Sequence, residues 1–456
     1  MKTRNIIILA LWLAYSMSSM AAIHPIKKAA ELTKQFPTAQ PGDTFLLADG
    51  DYQLSWLKAS CVGTLAHPIV VKAANARKAR VVGSGCITLI NAAYVVFDGL
   101  DFDMAATSSI FKLQGAHHIR ITNNRFTMSM DKEGQTSKWI LVGDIWDNDT
   151  CCSGHNRIDH NLFEDKLDGG SLLVIDGAHG VPGGISQHDT IDHNIFRRNT
   201  PRQANEKETI RIGVSGLSFM SSYTVVEYNE FEDCDGDPEI VSVKSCDNIV
   251  RHNIFRGCLG TVCLRQGFRN RVEYNSFYGE NKTAVFDGGT IGTGGVRVYS
   301  KDHLIANNYM VSLTGSRWDA ALTLTNGDVT NSSTSQSAHF LPENVQMTGN
   351  TIVDCVSGVE VGFTNGGKYG KKPKNCVICG NQLVRSPITY HAEMTAAQVQ
   401  ICDTVMQDTI GGTQSIESTP LPNSRSAEWI WHEGQLLLRM PNSTAYITLD
   451  GRIVEL

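Results

Sequence analysis

Apolar residues recur along most of this chain in a six-residue pattern, apolar-x-x-Asn-x-apolar. Its nine copies are Ile121–Phe126, Ile158–Phe163, Ile191–Phe196, Val226–Phe231, Val250–Phe255, Val272–Phe277, Ile305–Met310, Met347–Ile352 and Ile378–Leu383. Between Asn229, Asn253 and Asn275 the intervals are 24 and 22 residues, and the longer intervals elsewhere correspond to that period plus insertions. Short alternating apolar stretches at a period in the twenties are typical of stacked solenoid coils. The alternation is that of strands, so the pattern predicts a right-handed parallel β-helix.

The Asn residues of this repeat have a structural explanation. We expect them to form a ladder at one corner of the solenoid, where Asn tolerates the bend and bonds to backbone groups. Insertions between copies usually lie on one face of a solenoid and carry its function. Long insertions fall between Asn124 and Asn161, between Asn194 and Asn229, and after Asn275.

The two ends of the chain depart from the repeat. A short amphipathic helix is predicted from Lys27 to Phe36, ended by Pro37, and we expect it to cap the first coil. From about Ile401 onward the hexad is lost, although Trp429–Leu438 and Ala445–Leu456 still alternate. We therefore expect an all-β chain with a single domain, in which residues 23–400 form the β-helix and residues 401–456 its C-terminal coils and cap.

Residues 1–22 have the features of a secretory signal peptide. Lys2 and Arg4 precede an apolar run from Ile6 to Tyr15, and small residues follow. No later apolar run reaches about 18 residues, so no membrane span is expected. A cysteine, which a lipid anchor would need, is missing near the cleavage site. The sequence therefore predicts a periplasmic or secreted protein.

Composition narrows the range of partners. The net charge of −6 gives no reason to expect nucleic acid, and the 41 glycines fit turn-rich β structure. We expect a monomer or a weak dimer without nucleic-acid or membrane partners.

The twelve cysteines allow disulfides in an exported protein, with Cys151, Cys152, Cys246 and Cys258 as candidates, but buried unpaired thiols are the favoured interpretation. Cys376 and Cys379 have the spacing of half a zinc site, yet no second ligand pair follows.

One stretch carries residues suited to chemistry. Asp237 and Glu239 are two residues apart, Lys244 follows five residues later, and Arg265 lies 21 residues beyond Lys244. On an extended strand the two carboxylates point to one face. Counted from the Asn of each coil, four residues of successive coils have similar offsets: Asn205 at +11, Glu239 at +10, Arg265 at +12 and Arg317 at +9. We expect these four to stack in one column, with neighbouring coils about 4.8 Å apart.

The column suits a divalent ion beside a base. Asn205, Asp237 and Glu239 offer an amide carbonyl and two carboxylates, the hard oxygen ligands that Ca²⁺ prefers. A metal ion on the carboxylate of a uronic acid stabilises the charge that develops when the C5 proton is removed. Lys244, if neutral, could take that proton, and Arg265 could stabilise charge on the carboxylate or the leaving oxygen. From spacing alone, a strand with solvated acids and a salt-bridged lysine explains the residues equally well.

Three motifs resemble polysaccharide lyase family six, which includes alginate lyases and chondroitinase B and whose members are right-handed parallel β-helices. They are Asn205-Glu206-Lys207-Glu208-Thr209-Ile210-Arg211-Ile212-Gly213, Glu239-Ile240-Val241-Ser242-Val243-Lys244-Ser245 and Leu264-Arg265-Gln266-Gly267. The resemblance covers about residues 30–383. It implies Lys244 as Brønsted base, Arg265 as Brønsted acid, and Asn205, Asp237 and Glu239 as calcium ligands. It also implies that Arg317 holds substrate.

The chain departs from the family pattern at three places. Asp237 stands where the family usually has Glu, which shortens one ligand arm by a methylene. Gln266 replaces the usual His after the arginine, which puts a proton relay from that position in doubt. Glu206 and Lys207 replace two glycines after the ligand Asn.

The expected function is a calcium-assisted alginate lyase that acts on an anionic polysaccharide. The stretch from Gly294 to Tyr299 resembles the alginate lyases, in which an arginine occupies the Arg297 position, so Arg297 joins Arg317 as an expected substrate-binding residue. A dermatan sulfate lyase is the alternative within the family. A glycoside hydrolase could use Asp235, Asp237 and Glu239 without a metal, but Lys244 and Arg265 would then have no role. A non-catalytic carbohydrate-binding solenoid is the third possibility.

Overall fold

A computed structural model describes residues 21–105, 108–130, 135–143, 153–178 and 184–407. It also describes four C-terminal strands, Glu428–His432, Gln435–Arg439, Ala445–Ile447 and Ile453–Glu455, which form an antiparallel sheet. The predicted signal sequence, except for its last two residues, lies outside the described residues, as do Cys151 and Cys152. Within the described ranges, no helix is both long and apolar enough to cross a membrane.

Three long sheets, all of parallel strands, make up the body of the protein. The first contains Ile23–Ile26, Thr44–Leu47, Ile69–Ala73, Val95–Asp98, Arg120–Thr122, Arg157–Asp159, Thr190–Asp192, Val225–Glu227, Ile249–Arg251, Arg271–Glu273, Leu304–Ala306, Gln346–Thr348, Cys376–Cys379 and Val399–Cys402. The second contains Gly50–Gln53, Ala79–Val82, Asp101–Ala105, Arg125–Met130, Leu162–Lys166, Ile195–Asn199, Glu230–Cys234, Ile254–Arg256, Ser276–Tyr278, Tyr309–Val311, Thr351–Val353, Gln382–Val384 and Val405–Gln407. The third contains Trp56–Ala59, Cys86–Ile90, Phe111–Gln114, Ile140–Val142, Leu173–Ile175, Ile210–Ile212, Glu239–Lys244, Thr261–Gln266, Val296–Val298, Leu322–Leu324, Val359–Val361 and Ile388–Tyr390.

Each coil visits the three sheets in turn, so the predicted parallel β-helix is confirmed. One coil runs through Val225–Glu227, Glu230–Cys234 and Glu239–Lys244 before Ile249–Arg251 begins the next. The last apolar residue of the hexad points into the core. From Phe102 to Phe277 these residues form a continuous stack of seven phenylalanine rings, with neighbouring centroids 4.6–5.0 Å apart. Repetition of one apolar position at each coil therefore builds the core, as a solenoid requires.

The Asn residues form the predicted ladder between the first and second sheets. In each step the backbone N–H and the side-chain amide of one Asn donate to the Oδ1 of the next; for Asn229 and Asn253 both distances are 3.0 Å. The same contacts continue from Asn124 to Asn381, and these Asn side chains are buried. The bend itself lies one residue earlier than expected. Left-handed backbone occurs at the residue before the Asn, such as Tyr228 with a φ of 54°.

The N-terminal prediction is confirmed within two residues. An α-helix spans Ala29–Gln35 and continues as a 3₁₀ turn, Phe36–Thr38, that contains Pro37. Both Leu32 and Phe36 are buried in the main core, so the helix covers the first coils. Two other 3₁₀ turns, Ser215–Leu217 and Arg317–Asp319, and an antiparallel hairpin of Thr283–Phe286 with Gly289–Gly292 interrupt the coils.

The cysteine expectations were partly wrong. Cys246 and Cys258, two of the disulfide candidates, are free and buried, as the favoured interpretation predicted. A disulfide that the sequence did not suggest joins Cys379 to Cys402. These two residues are direct partners on adjacent strands of the first sheet, which brings their side chains together although 23 residues separate them. The C-terminal boundary at residue 400 stays a prediction. The parallel coils continue to Val405–Gln407.

Candidate active site

The outward-facing side chains of the third sheet form the floor of the candidate site. On its strands the apolar residues point into the coil and the residues between them point out. The strand register places one outward row in order across successive coils: Arg211, Ser242, Cys263, Arg297, Thr323 and Glu360. Dissimilar polar side chains thus lie side by side on one face.

This register corrects the predicted column. Arg297, not Arg317, follows Cys263 in the row, and Arg317 lies in the 3₁₀ turn before its strand. Glu239 begins its strand opposite Thr261, whereas Arg265 lies near the other end of the next strand. Asn205 is exposed on the loop before Ile210–Ile212. Counting from the corner failed because Arg317 belongs to the coil of Asn308, and the coil of Asn275, which carries Arg297, lies between it and the coil of Arg265.

Asp237 is the most deeply buried acid of the predicted set, 3% exposed. It precedes the strand, and its two carboxylate oxygens accept hydrogen bonds from the backbone N–H groups of Glu239, at 2.9 Å, and of Lys207, at 3.1 Å. Burial, and then the negative charges of Glu208 and Glu239, raise the pKa of Asp237 to about 7. The folded protein therefore favours the protonated form of Asp237 more strongly than the unfolded chain does.

Glu239 lies among cations. Its Oε1 is 4.0 Å from Nε of Arg265, and its Oε2 accepts a hydrogen bond from the Ser242 hydroxyl. Burial alone would raise the pKa of Glu239, but Lys244, Arg297 and Arg265 outweigh that effect and lower it. Glu239 is therefore an ionised carboxylate beside Arg265 and under the electrostatic influence of Lys244.

Lys244 is held by an acid that the sequence analysis gave no role. Its Nζ donates to Oε1 of Glu208 at 3.2 Å, and the other oxygen of Glu208 accepts from Ser171 at 2.5 Å. Glu208 is 1% exposed, while the Lys244 side chain retains 17% exposure. The ammonium group is thus fixed on one side and open on the other. Glu208 lies in the motif that begins at Asn205, and its place in that motif is the sequence feature that could have identified it.

Arg265 is covered by an insertion after the strand Leu322–Leu324. Its guanidinium donates to the carbonyls of Ala338, at 3.2 Å, and Ser337, at 3.3 Å, and lies 5.7 Å from the ring centre of Tyr299. The Gln266 amide donates to the carbonyl of Gln336 in the same insertion. Gln266 therefore holds a loop at the position where a histidine was expected.

The same insertion brings His339 close to this arginine. The His339 ring contacts Tyr299, with centroids 5.0 Å apart, and hydrogen-bonds to Asp328 and Tyr369. Burial, followed by the charge of Arg265, lowers the pKa of His339 to about 4, so the ring is neutral at neutral pH. No local pattern in the sequence signalled this contact, which depends on how the insertion folds back.

The two expected substrate-binding arginines differ in exposure. Arg297 is 6% exposed, and its guanidinium bonds to the carbonyl of Trp318 and the carboxylate of Asp319. Arg317 is exposed. Both assignments, like those of Lys244, Arg265 and the calcium ligands, stay predictions, although the structure places all of these residues around the third sheet.

Two of the three residues predicted to bind calcium have side chains suited to that ion. Asp237 and Glu239 supply carboxylate oxygens, and Asp237 carries negative charge at a cost that a cation would relieve. The Lys207 N–H bond to Asp237 ties the loop of Asn205 to this acid. Asp235, the further acid of the hydrolase alternative, is instead occupied by Lys282 at 2.7 Å and by the Leu259 N–H at 2.8 Å.

Comparisons with known proteins point to one family. A family model described as chondroitinase B matches residues 26–392. The alginate lyase AlyGC, of polysaccharide lyase family six, is 28% identical with a TM-score of 0.73, over 84% of this chain and 51% of AlyGC. The chain therefore spans about half the length of that protein.

A mannuronic-acid-specific family six lyase from human gut microbiota is 26% identical with a TM-score of 0.67, over 85% of this chain and 82% of the other. The family six lyase Pedsa3628 from Pseudopedobacter saltans, 20% identical with a TM-score of 0.66, shares the fold, over 90% of this chain and 97% of its own. No curated protein sequence matched. With a family model matching most of its length, the chain belongs to the chondroitinase B family, polysaccharide lyase family six.

Proposed function

We propose that this protein is an alginate lyase that cleaves its substrate by calcium-assisted β-elimination. The observation that carries the proposal is that Lys244, Arg265 and Glu239, all partly exposed, lie on two paired strands of the third sheet. Lys244 keeps an open side while Glu208 fixes its position, and Arg265 lies beside the carboxylate that would share a cation with the substrate. A base, a charge-stabilising group and an anionic ligand cluster are the three requirements of the reaction.

In this reaction Lys244 accepts a proton, and Arg265 stabilises the negative charge that develops. Lys244 in its neutral form takes the C5 proton of a uronate, and the electrons of the C–H bond form the C4–C5 double bond. The C4–O4 bond breaks, and the leaving oxygen receives a proton from Arg265 or from water. Since guanidinium is a very weak acid, Arg265 stabilises the developing charge in either case.

Asn205, Asp237 and Glu239 would hold the calcium ion. The ion supplies positive charge to the substrate carboxylate, which resists gaining a second negative charge when C5 loses its proton. The backbone N–H groups of Lys207 and Glu239 orient Asp237, so the ligand shell is anchored by the main chain.

Alginate is the favoured substrate for two reasons. Two similar proteins above 25% identity are described as an alginate lyase and a mannuronic-acid-specific lyase. Every sugar of alginate also carries a carboxylate, whereas dermatan sulfate carries one on alternate sugars, so alginate offers a carboxylate both to Arg265 and to the exposed Arg317. Dermatan sulfate remains the alternative that the experiment must distinguish.

The experiment uses the ultraviolet absorbance of the unsaturated uronyl product. The purified protein is incubated with alginate, with mannuronate-rich and guluronate-rich blocks, and with dermatan sulfate, each with Ca²⁺. We expect absorbance to rise with alginate and not with a Lys244→Ala variant. Release of reducing ends without absorbance would show a hydrolase, binding without either would show a carbohydrate-binding protein, and a faster rise with dermatan sulfate would assign the alternative substrate.

A further inference from the structure

Three neighbouring strands of the third sheet direct their outward side chains at one short turn. Arg297, Thr323 and Glu360 lie side by side in register, and all three are at most 6% exposed. The turn is Arg317–Asp319, which we name the Arg317 turn. Buried polar side chains are normally hydrogen-bonded, so the partners of these three residues show what they do.

Each of the three residues binds the backbone or a side chain of the Arg317 turn. Arg297 donates from Nε to the carbonyl of Trp318, at 3.0 Å, and from Nη2 to Oδ1 of Asp319, at 2.6 Å. The Thr323 hydroxyl donates to the carbonyl of Arg317 at 2.8 Å. The backbone N–H of Arg317 donates to Oε1 of Glu360 at 2.6 Å. The polar groups at both ends of residue 317 are therefore fixed from the sheet below.

Arg317 itself adopts a conformation that needs such support. Its φ is 57°, in the left-handed region that a residue with a Cβ disfavours. The same conformation occurs at corner residues such as Tyr228, and at Arg317 the hydrogen bonds with Glu360 and Thr323 hold it in place. The side chain of Arg317 is exposed, and it has no hydrogen bond or ion pair to another residue in the described part of the chain. The turn thus presents one unpaired guanidinium above the sheet.

Arg297 cannot meet a substrate in the same way. Its guanidinium is buried, pairs with Asp319 and lies 5.8 Å from the ring centre of Trp318. A sugar carboxylate would have to displace Asp319 to reach it. The sequence suggested two substrate-binding arginines, but the structure gives them unlike surroundings.

We propose that Arg297, Thr323 and Glu360 form a cradle for the Arg317 turn, so that Arg317 meets a uronate carboxylate and Arg297 is a positioning residue. The inference rests on the proposed function for the substrate, but the cradle itself is a property of the fold. According to this proposal, the buried charges of Arg297 and Glu360 affect substrate affinity indirectly, through Arg317.

A double-mutant cycle tests the indirect role. Arg317→Ala should lower kcat/KM on alginate by about 10- to 100-fold, mainly through KM, as expected for a lost charge-assisted hydrogen bond. Arg297→Ala should cause a similar loss. The double variant should be no more than about threefold worse than Arg317→Ala alone, because residues that act through one contact are not additive. If the two losses multiply, Arg297 binds substrate directly and the cradle is wrong.

Milder substitutions at Thr323 and Glu360 test the cradle even if Arg297→Ala does not fold. Thr323→Val keeps the shape and removes only the hydroxyl, and it should raise KM about two- to fivefold with kcat unchanged. Glu360→Gln keeps an acceptor for the Arg317 N–H and should behave nearly as wild type, whereas Glu360→Ala should not. Arg271→Ala, which removes an exposed side chain paired with Glu273 on the first sheet, is the matched control and should leave KM unchanged.

Hydrogen exchange separates this inference from the proposed function. Amide exchange in residues 314–321 should speed up in Arg297→Ala and Thr323→Val and stay unchanged in Arg271→Ala, with or without substrate. Faster exchange in a protein that cleaves no uronate would retain the cradle and reject the lyase. Unchanged exchange in an active lyase would reject the cradle and retain the function.

Discussion

The Asn corner and the outer face of the third sheet are both rows of polar residues built by the same stacking, yet they differ in what each residue does. At the corner each Asn from Asn124 to Asn350 donates its backbone N–H and its side-chain amide to the next Asn of the ladder. On the sheet face the row changes from Arg211 through Ser242 to Arg297, with unlike charges at short range. A row of identical residues that hydrogen-bond to one another indicates a structural role. A row of different residues with unlike charges at short range indicates a functional site. Substitutions in the two regions should therefore have opposite effects on stability and activity.

The largest effect is expected at Lys244. Lys244→Ala should lower kcat on alginate by roughly 10³-fold, the scale of a lost general base, while oligosaccharide binding persists. Lys244→Arg keeps a positive charge beside Glu208 but should fail almost as badly, because guanidinium keeps its proton. Lys374→Ala, at an exposed pair with Glu343, is the control and should have full activity. A large residual rate in Lys244→Arg would exclude Lys244 as the base.

Removal of calcium should have the next largest effect. If the ion stabilises the transition state by several kcal/mol, chelation should lower activity by about 100-fold or more. Added Ca²⁺ should restore the rate better than Mg²⁺, which requires tighter octahedral geometry. Metal analysis and rates measured in parallel check this expectation, and full activity in a metal-free sample would contradict it.

The corner should respond in the opposite way. Asn253→Ala removes the acceptor of two buried donors on Asn229 and should lower the free energy of unfolding by about 2–4 kcal/mol. The activity of each folded molecule should stay unchanged. Asn75→Ala, which removes an exposed hydrogen bond to Asp49, should cost less than about 0.5 kcal/mol. Denaturant unfolding and active-site-normalised rates give both quantities, and a loss of kcat in Asn253→Ala would remove the contrast between the two regions.

A pH dependence set by Asp237 is also expected. Its raised pKa means that the folded, calcium-free protein holds a proton that the unfolded chain releases near pH 4. Stability should therefore fall as the pH rises from about 4 to about 7. Glu239, whose pKa is lowered, acts in the opposite direction only below this window.

Calcium would compete with the same proton, so its apparent affinity should rise across that range. Thermal unfolding and calorimetric titration at several pH values measure both effects. Asp237→Asn is the control that should abolish the slope of stability with pH, and a slope that persisted in this variant would assign it to another group.

The sequence by itself determined the coil and the corner. The hexad predicted the parallel solenoid, the Asn ladder and the N-terminal helix because each rests on local spacing that repeats at every coil. The sequence also identified Asp237, Glu239, Lys244 and Arg265 as one group of candidate residues, since they follow one another on adjacent coils. The residue that bends the corner was misplaced by one position, because left-handed backbone is shared by several residue types there, such as His193, Tyr228 and Asn307.

Only the tertiary structure decided which side chains meet on the sheet. Glu208 reaches Lys244 across 36 residues, and the insertion that carries Ser337 and Ala338 reaches Arg265 across more than 70. The difference between buried Arg297 and exposed Arg317 also depends on loops of unequal length. A periodic pattern determines what is repeated, whereas loop lengths between coils vary and determine long-range contacts that no local spacing encodes.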